Sequence, residues 1–312
     1  MADDFFHAQV LKLPFKPLLV VLGLVASAYA LALLWSNTLQ PVDLFQQLLS
    51  PSGLMAMLLC LVNYILRGLR WRDWMSLYQR PMAWGQALRI YLAGYTFTPT
   101  PGNLGEAVRG LMIDKQPLTP LQSLGIFGAE RVADLLALLI LSVPGLFWLM
   151  GVYLPLLPPY WLGLGMVLAA LLLVAMWRLL PKRLLRIHWL KESWQCLQIR
   201  PGRWLALTIP AWAAQGLALW LLCQQQAIPI DPILAIGLYA MAMVGGALSM
   251  LPAGLGGTEA LLTGFLMASG VGLGVAMTIT VVVRLLTLWL AVALGAFFLL
   301  YSAAIRKEIR LL

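Results

Sequence analysis

Two stretches of this chain share one unusual order of residue types. The first is Pro101-Gly102-Asn103-Leu104-Gly105-Glu106-Ala107, and the second is Pro252-Ala253-Gly254-Leu255-Gly256-Gly257-Thr258-Glu259-Ala260. Arg131 stands 25 residues after Glu106, and Arg284 stands 25 residues after Glu259. The Pro-to-Glu distances differ by two residues, so the equal Glu-to-Arg spacing is the stronger part of the match. An arginine fork binds phosphate or carboxylate at two points. Free amides at a helix start also attract anions, and Gly102, Gly105, Gly254, Gly256 and Gly257 lie where such starts are expected. This chemistry fits recognition of an anionic headgroup.

Each feature also has a structural reading. Arg131 and Arg284 can fasten their segments to neighbouring carboxylates, and a substrate can compete for such a pair. Glu106 and Glu259 begin half-helices, where the helix dipole favours a carboxylate; the alternative is a proton or cation site. The glycines can serve the turns alone. Asp134 is three residues after Arg131, Glu130 is one turn before Asp134, and Arg109 is three residues after Glu106. These spacings allow pairing on one helix face, while Arg109 can instead draw headgroups inward.

The elements that must position these groups are membrane helices. Of the 312 residues, 62% are hydrophobic and 11% charged, against about a quarter charged in soluble domains. Several apolar runs reach roughly 18 residues, enough to cross a bilayer. The pattern predicts an all-α integral membrane protein forming one membrane domain over 1–312. It has six plain spans and two Pro/Gly-broken helical hairpins. Residues 1–51 hold a first, uncleaved span at 17–35, and 52–150 form a first repeat. Residues 151–203 hold a connecting span at 160–180 and a basic loop, and 204–312 form a second repeat and tail. The second span is expected over 53–66, with Asn63, Arg67 and Arg70 at its end reaching headgroups. Most tryptophans near span ends, including Trp71 and Trp74, are expected at the interface. The broken hairpins cover 82–115 and 232–270. Their tips are set by Pro99, Pro101 and Pro252, where a helix cannot continue. A single helix is expected from Leu121 to Met150, and the last span covers 273–301.

Charge placement predicts orientation. Basic segments 67–80, 181–203 and 306–310 fall on one side, while loops 36–51, 151–159 and 224–231 contain no Lys or Arg. Positive residues mark the cytoplasmic side, so both termini are expected there. The two repeats then run in opposite directions, the inverted arrangement in which broken helices mark a transporter's binding site. With a rise of about 1.5 Å per residue, Arg131 and Arg284 fall roughly 15 Å into their helices. That depth is near the middle of a core about 30 Å thick.

Other functions lack their signatures. The chain has no phosphate loop, no His-Glu-x-x-His and no nucleophile elbow, so no enzyme is expected. His7 and His188 have no partners at metal-ligand spacing, and Cys60, Cys196 and Cys223 lack redox or metal spacing. No metal or cofactor is expected. The net charge of +9 sits beside apolar runs and does not indicate nucleic acid.

The segment Pro101 to Arg109 with Glu130-Arg131-Val132-Ala133-Asp134, and the segment Leu251 to Ala260 with Arg284, resemble the lysylphosphatidylglycerol synthase transmembrane-region, or flippase-like, family. The resemblance covers almost the whole chain. It implies movement of lipids or lipid-linked headgroups between leaflets of a bacterial inner membrane. The chain ends at Leu312, so the cytosolic aminoacyltransferase domain of some relatives is expected to be absent. The expected partners are membrane lipids, either an anionic phospholipid or a polyprenyl-linked lipid, with a second copy or a lipid-synthesis enzyme as a protein partner. Two alternatives stay open: a proton-coupled small-solute transporter, and an intramembrane enzyme or an accessory subunit of a lipid-modifying or glycosyltransferase system.

Overall fold

A computed structural model describes residues 41–113, 116–153, 187–249 and 251–311, together with Gly23 and Ser27. The expected spans at 17–35 and 160–180 otherwise lie outside the described residues. The described residues are helical, with no strand among them. Among the described residues, three helical stretches are long and apolar enough to cross a membrane: Pro51–Tyr78, Pro201–Gln225 and Leu273–Ser302. A bent pair, Pro120–Leu141 with Val143–Tyr153, makes a fourth if counted as one span.

Helix α1 is Pro41–Leu49 and α2 is Pro51–Met75. Between them Ser50 accepts a hydrogen bond from the Gly53 amide at 2.9 Å, and Pro51 occupies the first turn, where its missing N–H costs nothing. Helix α2 runs well past the predicted end at residue 66. It lies along α7, Pro201–Gln225, and against α3, Trp84–Ala93. Gly68 lets α3 come close, since a Cβ there would sit 3.2 Å from Leu88 Cδ1. Trp71, Trp74, Arg67 and Arg70 are therefore buried between helices. This corrects the expectation that they face headgroups at the membrane surface.

Helix α4, Pro120–Leu141, begins with a reciprocal cap: Thr119 Oγ1 accepts from the Gln122 amide, and Gln122 Oε1 accepts from the Thr119 amide. It does not continue straight to Met150. Helix α5, Val143–Tyr153, turns away by 46°. Pro144 cannot donate to the preceding turn, which accounts for the break. The bend brings Gly145 onto Gly237 of α8, Pro232–Leu248. A Cβ on Gly145 would lie 2.9 Å from the Gly237 carbonyl carbon, and small residues permit such close packing in membranes.

The described part of the basic segment expected over 181–203 contains a helix. Helix α6, His188–Gln198, packs along α4, and Ser193 donates to the Gly125 carbonyl at 2.6 Å. Burial pushes the Cys196 thiol on this helix up to about 12, so it behaves as a small hydrophobe. After α8 come α9, Gly257–Ala268, and α10, Leu273–Arg284. A π-helical turn, Leu285–Trp289, leads into α11, Leu290–Leu311. The two predicted breaks are present. The first joins α3 and the 3-10 segment Gly94–Phe97 to a second 3-10 helix, Pro101–Met112; the second joins α8 to α9 through a 3-10 turn, Pro252–Gly254. These two broken tips pack against each other.

Candidate functional site

The first tip is shaped by its backbone. Gly102 and Asn103 have φ of 60° and 56°, a left-handed conformation that glycine and asparagine adopt most readily. Thr100 stabilises the turn: its hydroxyl donates to the Phe97 carbonyl and accepts from the Gly105 amide. The chain is thereby turned so that Glu106 points inward. Its Oε1 accepts from the Thr98 hydroxyl at 2.7 Å.

Glu106 belongs to a buried charge lattice. Arg109 donates to Glu106 at 2.7 Å and to Glu130 at 2.9 Å. Its guanidinium carbon lies 4.2 Å from the Tyr91 ring centroid, an attractive stacking geometry. Gly94 is required here, because a Cβ at that position would run into the Arg109 side chain. Asp134 accepts from Arg67 and Arg70, each at 2.7 Å, and from the Trp212 indole at 3.2 Å. Arg70 also donates to Thr208 and lies 3.8 Å from Glu130. Arg131 bridges the two ends of the lattice, 3.3 Å from Glu106 and 3.3 Å from Asp134. Within this group four arginines face three carboxylates, leaving one positive charge in excess.

The second tip is simpler. Ala253, Gly254 and Gly256 have φ of 52°, 65° and 82°. Glu259 caps the start of α9, accepting from the Gly256 amide at 2.8 Å. Its other oxygen accepts from Arg284 Nε at 2.7 Å, and Arg284 Nη2 donates to the Ala253 carbonyl at 2.9 Å. Arg284 thus ties the tip to α10. The π-helical turn follows it directly, a local widening often found at functional sites.

A cavity of about 350 Å³ lies between the tips. Its polar wall includes Arg67, Glu106, Arg131, Asp134 and Arg284, with Tyr64, Tyr95 and Trp212. Its apolar lining includes Leu135, Leu248 and Leu251, all exposed. The volume falls in the range of small-ligand sites, about 300–1,000 Å³.

The sequence model of the family described as "Lysylphosphatidylglycerol synthase TM region" matches residues 20–295 of the 312. The chain belongs to that family. Comparison with the curated proteins finds no match.

The Glu–Arg pairs that the sequence allows do form, each across 25 residues. Arg131 and Arg284 are both the twelfth residue of their helices, counted from Pro120 and Leu273. The cavity gathers Arg131, Arg284, Glu106, Asp134, Gly102 and Gly254. Arg109 and Glu259 stand one layer behind, each bonded to a lining residue. Gly105 serves the turn through its amide, and Gly256 offers its amide to Glu259. Gly257 opens α9 and packs close to Ser249, which a Cβ would approach to 3.0 Å. Pro99 lies within the first break, Pro101 opens the 3-10 helix after it, and Pro252 opens the second turn.

Sequence reasoning missed Arg67, Arg70 and Trp212 as parts of the site. One signal was available. Asn63, Arg67, Arg70 and Trp74 recur at helical spacing and define one polar face of α2. All four are buried.

Proposed function

We propose that this chain moves an anionic lipid headgroup between the two leaflets of a bacterial inner membrane. The observation that carries the reading is Arg131. It lines the cavity, is 30% exposed through its side chain, and belongs to a lattice with one positive charge in excess. An incoming phosphate would take the place of Glu106 or Asp134 on the Arg131 fork, and the one positive charge in excess would offset the charge it brings in. The exposed leucines that line the same cavity would let the acyl chains stay in the bilayer while the headgroup crosses. Intramembrane charges facing a cavity commonly mark substrate routes.

The equal Glu–Arg spacing and equal helix positions of Arg131 and Arg284 support an inverted repeat. In this reading the two tips alternate as gates, and Arg284 latches the second one. The Lys and Arg distribution supports cytoplasmic termini. The role is transport and not catalysis.

The test is translocation in vesicles. Full-length protein is reconstituted with fluorescent phosphatidylglycerol, and inward or outward movement is followed by chemical quenching of the outer leaflet. Wild type is expected to accelerate movement over protein-free vesicles, and more for phosphatidylglycerol than for phosphatidylcholine. Equal rates with and without protein overturn the reading.

A further inference from the structure

A second basic crevice lies away from the paired tips. It has a volume of about 370 Å³ and is lined by Arg72, Arg200 and Arg203, with Asp73 as the one carboxylate on its wall. It sits where the basic end of α2 meets the start of α7, both membrane-spanning helices. Arg203 joins the two through Asp73, at 2.6 Å. Trp74 and Trp204, both buried, form its floor. Trp204 is held there by donating to the Leu197 carbonyl at 3.0 Å.

The arginines are poised differently. Arg72 is oriented by one bond, Nε to the Met82 carbonyl at 3.0 Å, which leaves its two terminal nitrogens for another acceptor. Arg203 is held by Asp73. The Arg200 side chain has no hydrogen-bonded or ionic partner among the described residues. Its backbone has φ of 46° and ψ of 61°, a left-handed conformation uncommon for a residue with a side chain. Arg200 is also the N-cap residue of α7, so the positive end of that helix dipole faces the same place. Three guanidinium groups against one carboxylate leave two positive charges in excess around a crevice at a membrane edge. Basic pockets between spans at a membrane surface suit lipid phosphates.

We infer that this crevice is a phosphate-binding site, separate from the cavity between the tips, that holds the phosphodiester of an anionic lipid or a free phosphate group. The inference does not rest on the transport reading.

Native mass spectrometry of the full-length chain in detergent tests it, with phosphatidylglycerol, phosphatidylcholine and inorganic phosphate as separate probes. R200Q/R203Q is expected to lose one phosphatidylglycerol-binding event or weaken it about tenfold, the value of a charge-assisted contact. R200K/R203K should keep part of it. Asp73→Asn, which removes the one carboxylate, should strengthen it. R131Q should leave this event intact while affecting the cavity, so failure here and failure of the transport reading are separable. If millimolar inorganic phosphate displaces the lipid, the site takes free phosphate; if it does not, the site is a lipid site. Unchanged binding of phosphatidylglycerol and of inorganic phosphate in a folded R200Q/R203Q variant, or equal loss of phosphatidylcholine binding, overturns the inference.

Discussion

The two broken segments carry the same glutamate–arginine pair with opposite exposure. In the first, the carboxylate of Glu106 is 2% exposed and the Arg131 side chain 30%. In the second, Arg284 is 3% exposed and Glu259 17%. The surroundings explain the reversal. Glu106 is enclosed by Arg109 and Thr98 within the lattice, which leaves Arg131 at its open end. Arg284 is drawn inward by the Ala253 carbonyl, and Glu259 is turned outward to cap α9. A shared spacing therefore produces two different parts. The first half presents a cation to the cavity, and the second uses its cation as a fastener.

The comparison can be broken most severely at Asp134. It accepts hydrogen bonds from Arg67, Arg70 and Trp212 and pairs with Arg131. Asp134→Ala leaves buried guanidinium groups without their counter-ion, a change of about 3–5 kcal/mol. A large drop in the midpoint of thermal unfolding in detergent is expected. A midpoint within a degree or two of wild type would show that the lattice does not hold the first half together.

A smaller loss is expected for Gly94→Ala. The added methyl group meets Arg109, and overpacking of this kind costs about 1–3 kcal/mol. The same unfolding measurement checks it, and no loss would mean that Arg109 can shift freely inside the lattice. Glu259→Gln should cost about 1–3 kcal/mol, because the amide oxygen can still accept from Gly256 and Arg284 keeps the Ala253 carbonyl, while the buried Arg284 loses its carboxylate partner. A loss as large as that of Asp134→Ala would erase the contrast between the halves. Arg131→Gln should change stability least, since Asp134 and Glu106 keep their other donors.

The sequence showed the paired motifs because their chemistry is local: proline and glycine stop a helix, and a fixed spacing repeats. Its spacings of three also allowed a Glu106–Arg109 pair and an Asp134–Arg131 pair on one turn, and both are present. Arg67 and Arg70 were misread for a physical reason. Hydropathy falls along α2 after residue 66, and a charged, tryptophan-rich end of a span normally lies at the headgroups. Tertiary packing with α7 and α3 reverses this, because Asp134 supplies the counter-charge that lets the helix stay buried. That partner is distant in the chain, so no window around residue 67 reveals it. The bend between α4 and α5 was missed because Pro144 lies inside an otherwise continuous apolar run.

The most direct test of the central claim compares Arg131→Gln with Arg284→Gln in the vesicle translocation assay, with thermal unfolding measured on the same preparations. The account predicts that Arg131→Gln keeps near-wild-type unfolding but slows phosphatidylglycerol movement about tenfold or more. It predicts that Arg284→Gln loses stability as the second tip loosens. Arg131→Gln protein that is folded and moves the lipid at the wild-type rate would contradict the claim that the first half presents its arginine to the headgroup.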